Sequence, residues 1–189
     1  MCKGEVTSWV RDEESIRDQP LSKPLYTQVS VQETDANLGH LTMTGRNNEL
    51  VNQIFENARF IRSLGIQLTS SGDGWCETRI QLTPTLLQQH GLVHAGVLMT
   101  LADHTCGGAA ATMAPEGQDV ITVENKVSFL RPASGQELFC RADVLRAGKR
   151  LIFVEAKVTT KQGEDRAIVA KASSTLAFIP LKLPAQVPL

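Results

Sequence analysis

The sequence predicts an α+β fold: a curved antiparallel sheet of about six strands wrapped round one long central helix, with an amphipathic helix ahead of both. Three observations carry this reading. The stretch Val97 to Met113 is rich in Ala and Gly, has Asp103 as its only formally charged residue, and stops at Pro115 and Gly117. A helix so apolar all round has to be buried all round. Residues 119 to 179 break into four stretches of strand character, and Leu50, Val51, Ile54, Phe55, Ala58, Ile61 and Leu64 share one helical stripe.

Taken in order, residues 1–45 contain Pro20, Pro24 and a charged segment from Arg11 to Arg17, with only a short alternation around Tyr26 to Val31. They are expected to be an arm or extension ahead of a domain at 46–189. The amphipathic helix is opened by Asn47 or Asn48 and closed by Gly65. GIQLTSSGDGWCETRIQLTP then reads as two short strands round a Ser-Gly-Asp-Gly turn, ended by Pro84. Cys76, Thr78, Ile80 and Leu82 alternate with Glu77, Arg79 and Gln81, which gives that hairpin one wet face. After the central helix come strands over 119–130, 137–147, 150–160 and 166–179. Their separators, Pro-Ala-Ser-Gly, Ala-Gly-Lys and Lys-Gln-Gly-Glu-Asp, have the turn chemistry of an antiparallel meander. Gly96, Ala102, Gly107, Gly108 and Ala109 to Ala111 are small enough for a curved sheet to close tightly on the helix.

With 189 residues, a net charge of -1, 42% apolar and 21% charged residues, the chain has the composition of one globular domain with an arm. No basic patch argues for nucleic acid. The N-terminal MCKGEVTSWVRDEES has no apolar core of a signal peptide, and no run of eighteen or more residues suits a membrane span, so the expected address is the cytoplasm. Cys2, Cys76, Cys106 and Cys140 lie far apart with no CxxC pair, which indicates buried thiols rather than a disulfide framework or zinc knuckle. No cofactor and no metal are expected.

Asp103 is the feature that needs explaining. Between Arg79 and Glu116 it is the single formally charged residue, and no Lys or Arg is near it in sequence. An ionised carboxylate is costly to bury unpaired. One reading is a helix position that reaches solvent or bonds to hydroxyls and amides. The other is a carboxylate in a partly dry cleft, with its pKa raised towards the working range of a general base or nucleophile. At the other end of the helix, Gly91 and Gly96 flank the N-terminus, where free amides near Ala95 and Gly96 favour a developing negative charge. Gly96 and Asp103 are seven residues apart, on one face but about 10 Å apart along the axis. One carbonyl cannot touch both, so a shared substrate requires the amide from one chain and the carboxylate from another, across a two-fold axis. An obligate dimer with composite sites and a carbonyl-directed reaction follow as expectations.

Rival readings use the same residues. His90 and His94 have the His-x3-His spacing of a helical metal site, with Asp103 or His104 as a third ligand, yet they fall where a loop turns into a helix. Cys106 could be a nucleophile with His104 as its base, but positions 104 and 106 point to different sides of a helix. On the strand from 119, Thr122, Glu124, Lys126 and Ser128 alternate with Ile121, Val123, Val127 and Phe129, so Thr122 falls on a solvated face.

The order of these segments, and above all HAGVLMTLAD and TVENKVSFLRPA, resembles the hot-dog-fold acyl-CoA thioesterases of the phenylacetate-pathway (PaaI-like) group over roughly residues 47–180. The resemblance implies a thioester hydrolase acting on acyl-CoA as a dimer or dimer of dimers. It puts the family's carboxylate on Asp103 and its oxyanion amide on Ala95, beside Gly96. The amide side chain that holds substrate and water falls on Gln88, and the hydroxyl of the following strand on Thr122. His94, Arg131, Arg146 and Lys149, with Arg150 beside them, become candidate substrate contacts, the basic ones for the phosphates of coenzyme A. The chain departs from the family in reading His-Ala-Gly where His-Gly-Gly is common. Alanine keeps the backbone N–H but adds a methyl group that crowds the acyl or thiol portion of a substrate. Two alternatives keep the fold: an enoyl-CoA hydratase or dehydratase using His94 and Asp103, and a non-catalytic acyl-CoA-binding module.

Overall fold

The computed structural model describes residues 43–162 and 165–181. Helices α1 (Met43–Asn57) and α2 (Arg59–Leu64) lead into β1 (Ile66–Gly72) and β2 (Trp75–Gln81). A 3-10 turn (Pro84–Leu86) and a loop precede the central helix α3 (Ala95–Ala111), and β3 (Gln118–Phe129), β4 (Glu137–Ala147), β5 (Leu151–Gln162) and β6 (Asp165–Pro180) follow. The strands form one antiparallel sheet in the order β1-β2-β4-β5-β6-β3, and α3 packs against every one of them. This is the hot-dog architecture that the sequence predicts.

The alternation written into the strands positions the core. On β5, Ile152, Val154, Ala156, Val158 and Thr160 are buried against the helix while Phe153, Glu155 and Lys157 are exposed. The tightest approach along α3 is at Gly108, where a side-chain β-carbon would come within 2.7 Å of Cys76 Sγ and 3.1 Å of Phe55. The buried hydroxyls are satisfied internally. Thr105 Oγ1 donates to the Leu101 carbonyl at 2.5 Å and lies 2.7 Å from Thr78 Oγ1, which leaves Thr78 as the donor between them. Cys76, Cys106 and Cys140 are buried free thiols; burial pushes the first two up to about 12 and the third higher still, so they behave as small apolar residues.

Several expectations need correction. The amphipathic helix begins at Met43 rather than Asn47 or Asn48, and it breaks at Ala58, whose ψ of 88° is not helical. The break lets Val51 and Phe55 on one side and Ile61 on the other all reach the core. Gly65 does close the pair, with the left-handed φ of 80° that glycine allows. Helix α3 begins at Ala95 and ends at Ala111, two residues ahead of the expected limits at each end. The strands after it are not a simple meander, because β3 pairs with β6 at the sheet edge and β4 pairs with β2. Residues 130–136 span the sheet instead of doubling back: Leu130 and Arg131 donate to Val169, while the carbonyls of Ala133 and Gln136 accept from Val93 and Leu82. Of the expected arm at residues 1–45, all but the last three, and Cys2 with it, lie outside the described residues; those last three open α1.

Gly108→Val is expected to cost about 1–3 kcal/mol of stability through overpacking. Cys76→Ala introduced beside it should recover part of the loss in chemical denaturation, whereas additive losses would contradict this packing account.

Candidate active site

The loop before α3 is built by its backbone. Leu87 and Val93 form a bridge, Gln88 N–H donates to Leu92 at 2.7 Å, and Gly91 N–H donates to Gln88 at 2.9 Å with the φ of 75° that suits glycine. His94 follows in an extended conformation, φ -64° and ψ 137°, tied to Leu86 by its N–H. It caps the helix: its ring Nδ1 accepts the Gly96 N–H at 2.9 Å. A neutral ring that accepts at Nδ1 carries its proton on Nε2, so the other nitrogen is a donor. The cap also separates two candidate oxyanion donors. The Gly96 N–H is committed to His94, while the Ala95 N–H, at the first helical position, has no acceptor among the described residues.

This helix start opens on a cavity of about 550 Å³. Gln88, His94, Ala95 and Arg131 share it with the apolar side chains of Leu98, Phe129 and Leu130. The size is that of an ordinary small-molecule pocket.

Asp103 lies further along α3 and is not among the residues lining that cavity. It is half-buried, and Thr122 Oγ1 donates to its Oδ1 at 3.0 Å. Burial raises its pKa above the usual carboxylate range, and the Thr122 bond draws it part of the way back. Thr122 reaches the helix because of a bulge. Pairing with β6 slips between Thr122 and Glu124, leaving Val123 unpaired and 62% exposed. The alternation therefore changes phase at this point. Thr122 faces inward, contrary to its expected place on the solvated face, while Glu124, Lys126 and Ser128 stay outside.

The structure thus brings the predicted residues together in two groups, Gln88, His94, Ala95 and Arg131 at one end of α3 and Asp103 with Thr122 two turns on. Arg146, Lys149 and Arg150 lie away from the cavity group. Arg150 accepts from Phe178, which pairs with Val120 at the start of β3, whereas Arg131 follows the end of that strand. A strand of this length separates them by about 30 Å. His90 stands exposed in the turn, and among the described residues no three His, Cys, Asp or Glu side chains gather to hold a metal.

The environment of His104 has no mark in the sequence. Its Nε2 is the one buried side-chain nitrogen or oxygen without a partner among the described residues, and its ring meets Phe55 edge-on at 4.4 Å. Burial pushes its pKa down to about 4. The folded chain resists the proton that an unfolded histidine takes near pH 6.5, so stability should fall as the pH drops from 6.5 towards 4, by about 3 kcal/mol in all. Asp103 acts in the opposite sense, since a raised carboxyl pKa adds stability as the pH falls through it. His104→Phe isolates the first effect: thermal unfolding at pH 7 and pH 4.5 should show a smaller acid loss in the variant than in the native protein. Equal losses would mean that His104 does not titrate in this way.

Comparison with known proteins is consistent across sequence and structure. Residues 90–167 match the family described as the thioesterase superfamily. A solved thioesterase family protein from Silicibacter pomeroyi has a TM-score of 0.69 and 30% identity, over 71% of this chain and 98% of that one. A Halobacterium salinarum protein named "Putative esterase VNG_1336C" is 32% identical over 117 residues, covering 59% of this chain and 76% of the relative. The PaaI protein of the phenylacetic acid degradation operon of E. coli shares the fold at 22% identity, with a TM-score of 0.66 over 73% of this chain and 96% of that one.

Proposed function

Since the chain belongs to the thioesterase superfamily, we propose that it hydrolyses an acyl-CoA thioester to a free acid and CoA, at sites shared between two subunits. The observation that carries this reading is the placement of Asp103: half-buried, raised in pKa, held by Thr122, and on the same helix as an open N-terminal amide that it cannot itself reach. Ala95 is eight residues from Asp103, about 12 Å along the axis. A second chain running antiparallel across a two-fold axis would bring its own Asp103 to that amide.

Two features support such a pairing. Strand β3 is an edge strand with Ile121 and Val123 exposed at 54% and 62%, the kind of open apolar edge that invites a partner. The uncovered stripe of α3, with Ala95 and Met99 exposed and Asp103 half-exposed, carries no charge apart from the carboxylate.

In the reaction, the thioester carbonyl oxygen accepts the Ala95 N–H, which stabilises the negative charge that develops there. Asp103 of the other subunit takes a proton from water as the water oxygen attacks the carbonyl carbon. Collapse of the tetrahedral species breaks the C–S bond, and the departing thiolate of CoA recovers the proton. Gln88, on the cavity wall, and Thr122, on the carboxylate, orient water and acyl group. His94 offers its Nε2 hydrogen to the substrate, and Arg131 at the cavity supplies positive charge for the phosphates; Arg146 and Lys149, near Arg150 and so about 30 Å from Arg131 in the same chain, add to it only from the other subunit. A hydratase would need His94 to face the acyl β-carbon and take a proton from the water that adds there. Its Nδ1 is engaged by Gly96 and its Nε2 carries the proton, so neither nitrogen is free to act as that base, which favours hydrolysis.

Release of free CoA thiol from a panel of aryl- and fatty acyl-CoAs tests the proposal. Native turnover should fall a hundredfold or more in Asp103→Asn, the scale of general-base loss. No turnover on any thioester by either protein would remove the hydrolase reading and leave an acyl-CoA-binding module. Thr122→Val removes the bond that favours ionised Asp103, so the acid limb of the pH–rate profile should move to higher pH. An unmoved limb would detach Thr122 from the carboxylate's function.

A further inference from the structure

The β4–β5 hairpin ends in a tip whose charge is all of one sign. Between Asp143 and Glu155 the chain carries Arg146, Lys149 and Arg150 and no carboxylate. All three cations are exposed, and none has an ion-pair partner among the described residues. Residues 148–150 make the turn, closed by the Gly148 N–H on the Leu151 carbonyl at 2.8 Å. On its side away from β5, β4 has no strand beside it at the tip. Its pairing with β2 stops at Asp143 and Trp75, and the Val144 N–H donates to Gly74 just beyond.

The same tip holds large apolar side chains outside the core. The register sets Arg146 against Phe153, and paired residues share a face of the sheet. Ile152 and Val154 are sealed inside, so Arg146, Leu151 and Phe153 point outward. Leu145 is the extra residue of a bulge between Val144 and Arg146 and is 59% exposed, while Leu151 and Phe153 are exposed at 41% and 40%. Water solvates the cations of such a tip but not its leucines and phenylalanine. A bilayer surface matches both, with phosphates for the cations and hydrocarbon beneath them for the apolar side chains.

We propose that the β4–β5 tip docks on an anionic phospholipid surface, with Arg146, Lys149 and Arg150 against lipid phosphates and Leu145 and Leu151 among the uppermost acyl carbons. The contact has a fixed place relative to Asp103. Ile152 pairs with Leu176, and Leu176 pairs with Thr122. The root of the hairpin is therefore two strands, about 10 Å, from the residue whose hydroxyl holds that carboxylate. The docking stands on the hairpin alone and does not depend on the hydrolase reading.

Co-sedimentation of the full chain with lipid vesicles tests it. The protein should bind phosphatidylcholine vesicles containing about 30% phosphatidylserine in about 0.05 M salt, leave them in about 0.5 M salt, and ignore pure phosphatidylcholine. Lys149→Gln and Arg150→Gln should each lower the partition coefficient about fivefold, and Leu151→Ser about tenfold. Lys171→Gln removes the same charge from an exposed residue away from the tip and should leave the coefficient unchanged. Free CoA at constant ionic strength should leave the protein on the vesicles, because it offers phosphate without a hydrocarbon layer for the leucines. Release by CoA would assign the cations to a soluble phosphate and overturn the proposal. Failure to bind the anionic vesicles, or an equal loss in Lys171→Gln, overturns it as well.

Discussion

A carboxylate on a helix that is otherwise apolar all round constrains everything else in this fold. The sheet has to enclose α3 to bury Leu101, Ala102, Cys106 and Ala109 to Ala111, and all of these are sealed from solvent. It cannot enclose the side that carries Asp103 without burying a charge that has no cationic partner. The result is a helix gripped by six strands and open along one stripe. Ala95, Met99 and Asp103 lie on that stripe, which in the proposed site is completed by a second molecule. Enclosure and exposure are two consequences of the same residue pattern.

The electrostatics follow from how dry each part of the stripe is. Asp103 is dry enough for its pKa to rise, and its one hydroxyl partner, Thr122, draws it part of the way back. His104, the next residue, turns away from the stripe and against Phe55, where burial disfavours its charged form and its Nε2 has no partner among the described residues. At the other end of the helix, the acceptor nitrogen of His94 is engaged by Gly96, so the proposed oxyanion donor narrows to a single amide, that of Ala95. The methyl group of Ala95 does not compromise that amide, since the donor belongs to the backbone.

Much of this was legible in the sequence, for physical reasons that can be named. The strands could be read because each alternates in step with its burial, as on β5, and the central helix because only enclosure suits so apolar a run. Asp103 stood out as a charge in that run, and its distance from the helix start followed from helix geometry alone. What could not be read was whatever depends on one residue changing phase or direction. The bulge at Val123 turns Thr122 inward with no change in composition, and the break at Ala58 occurs in the middle of an unbroken apolar stripe. The route from β3 to β4 escaped for a different reason: Pro-Ala-Ser-Gly is chemically suited to a turn, and only the bonds to Val169, Val93 and Leu82 make it a crossing.

The central claim is that amide and carboxylate of one site come from two chains, and subunit mixing tests it most directly. Ala95→Pro removes the amide hydrogen at the first helical position, where proline is tolerated, and His94 already has the extended conformation that precedes a proline. Mixed with Asp103→Asn after subunit exchange, it should regenerate thioesterase activity that neither variant has alone. In each mixed dimer one site has lost both groups and the other is intact. A mixture that stays as inactive as its components, with mixed dimers shown to be present, would place amide and carboxylate in the same chain and contradict the account.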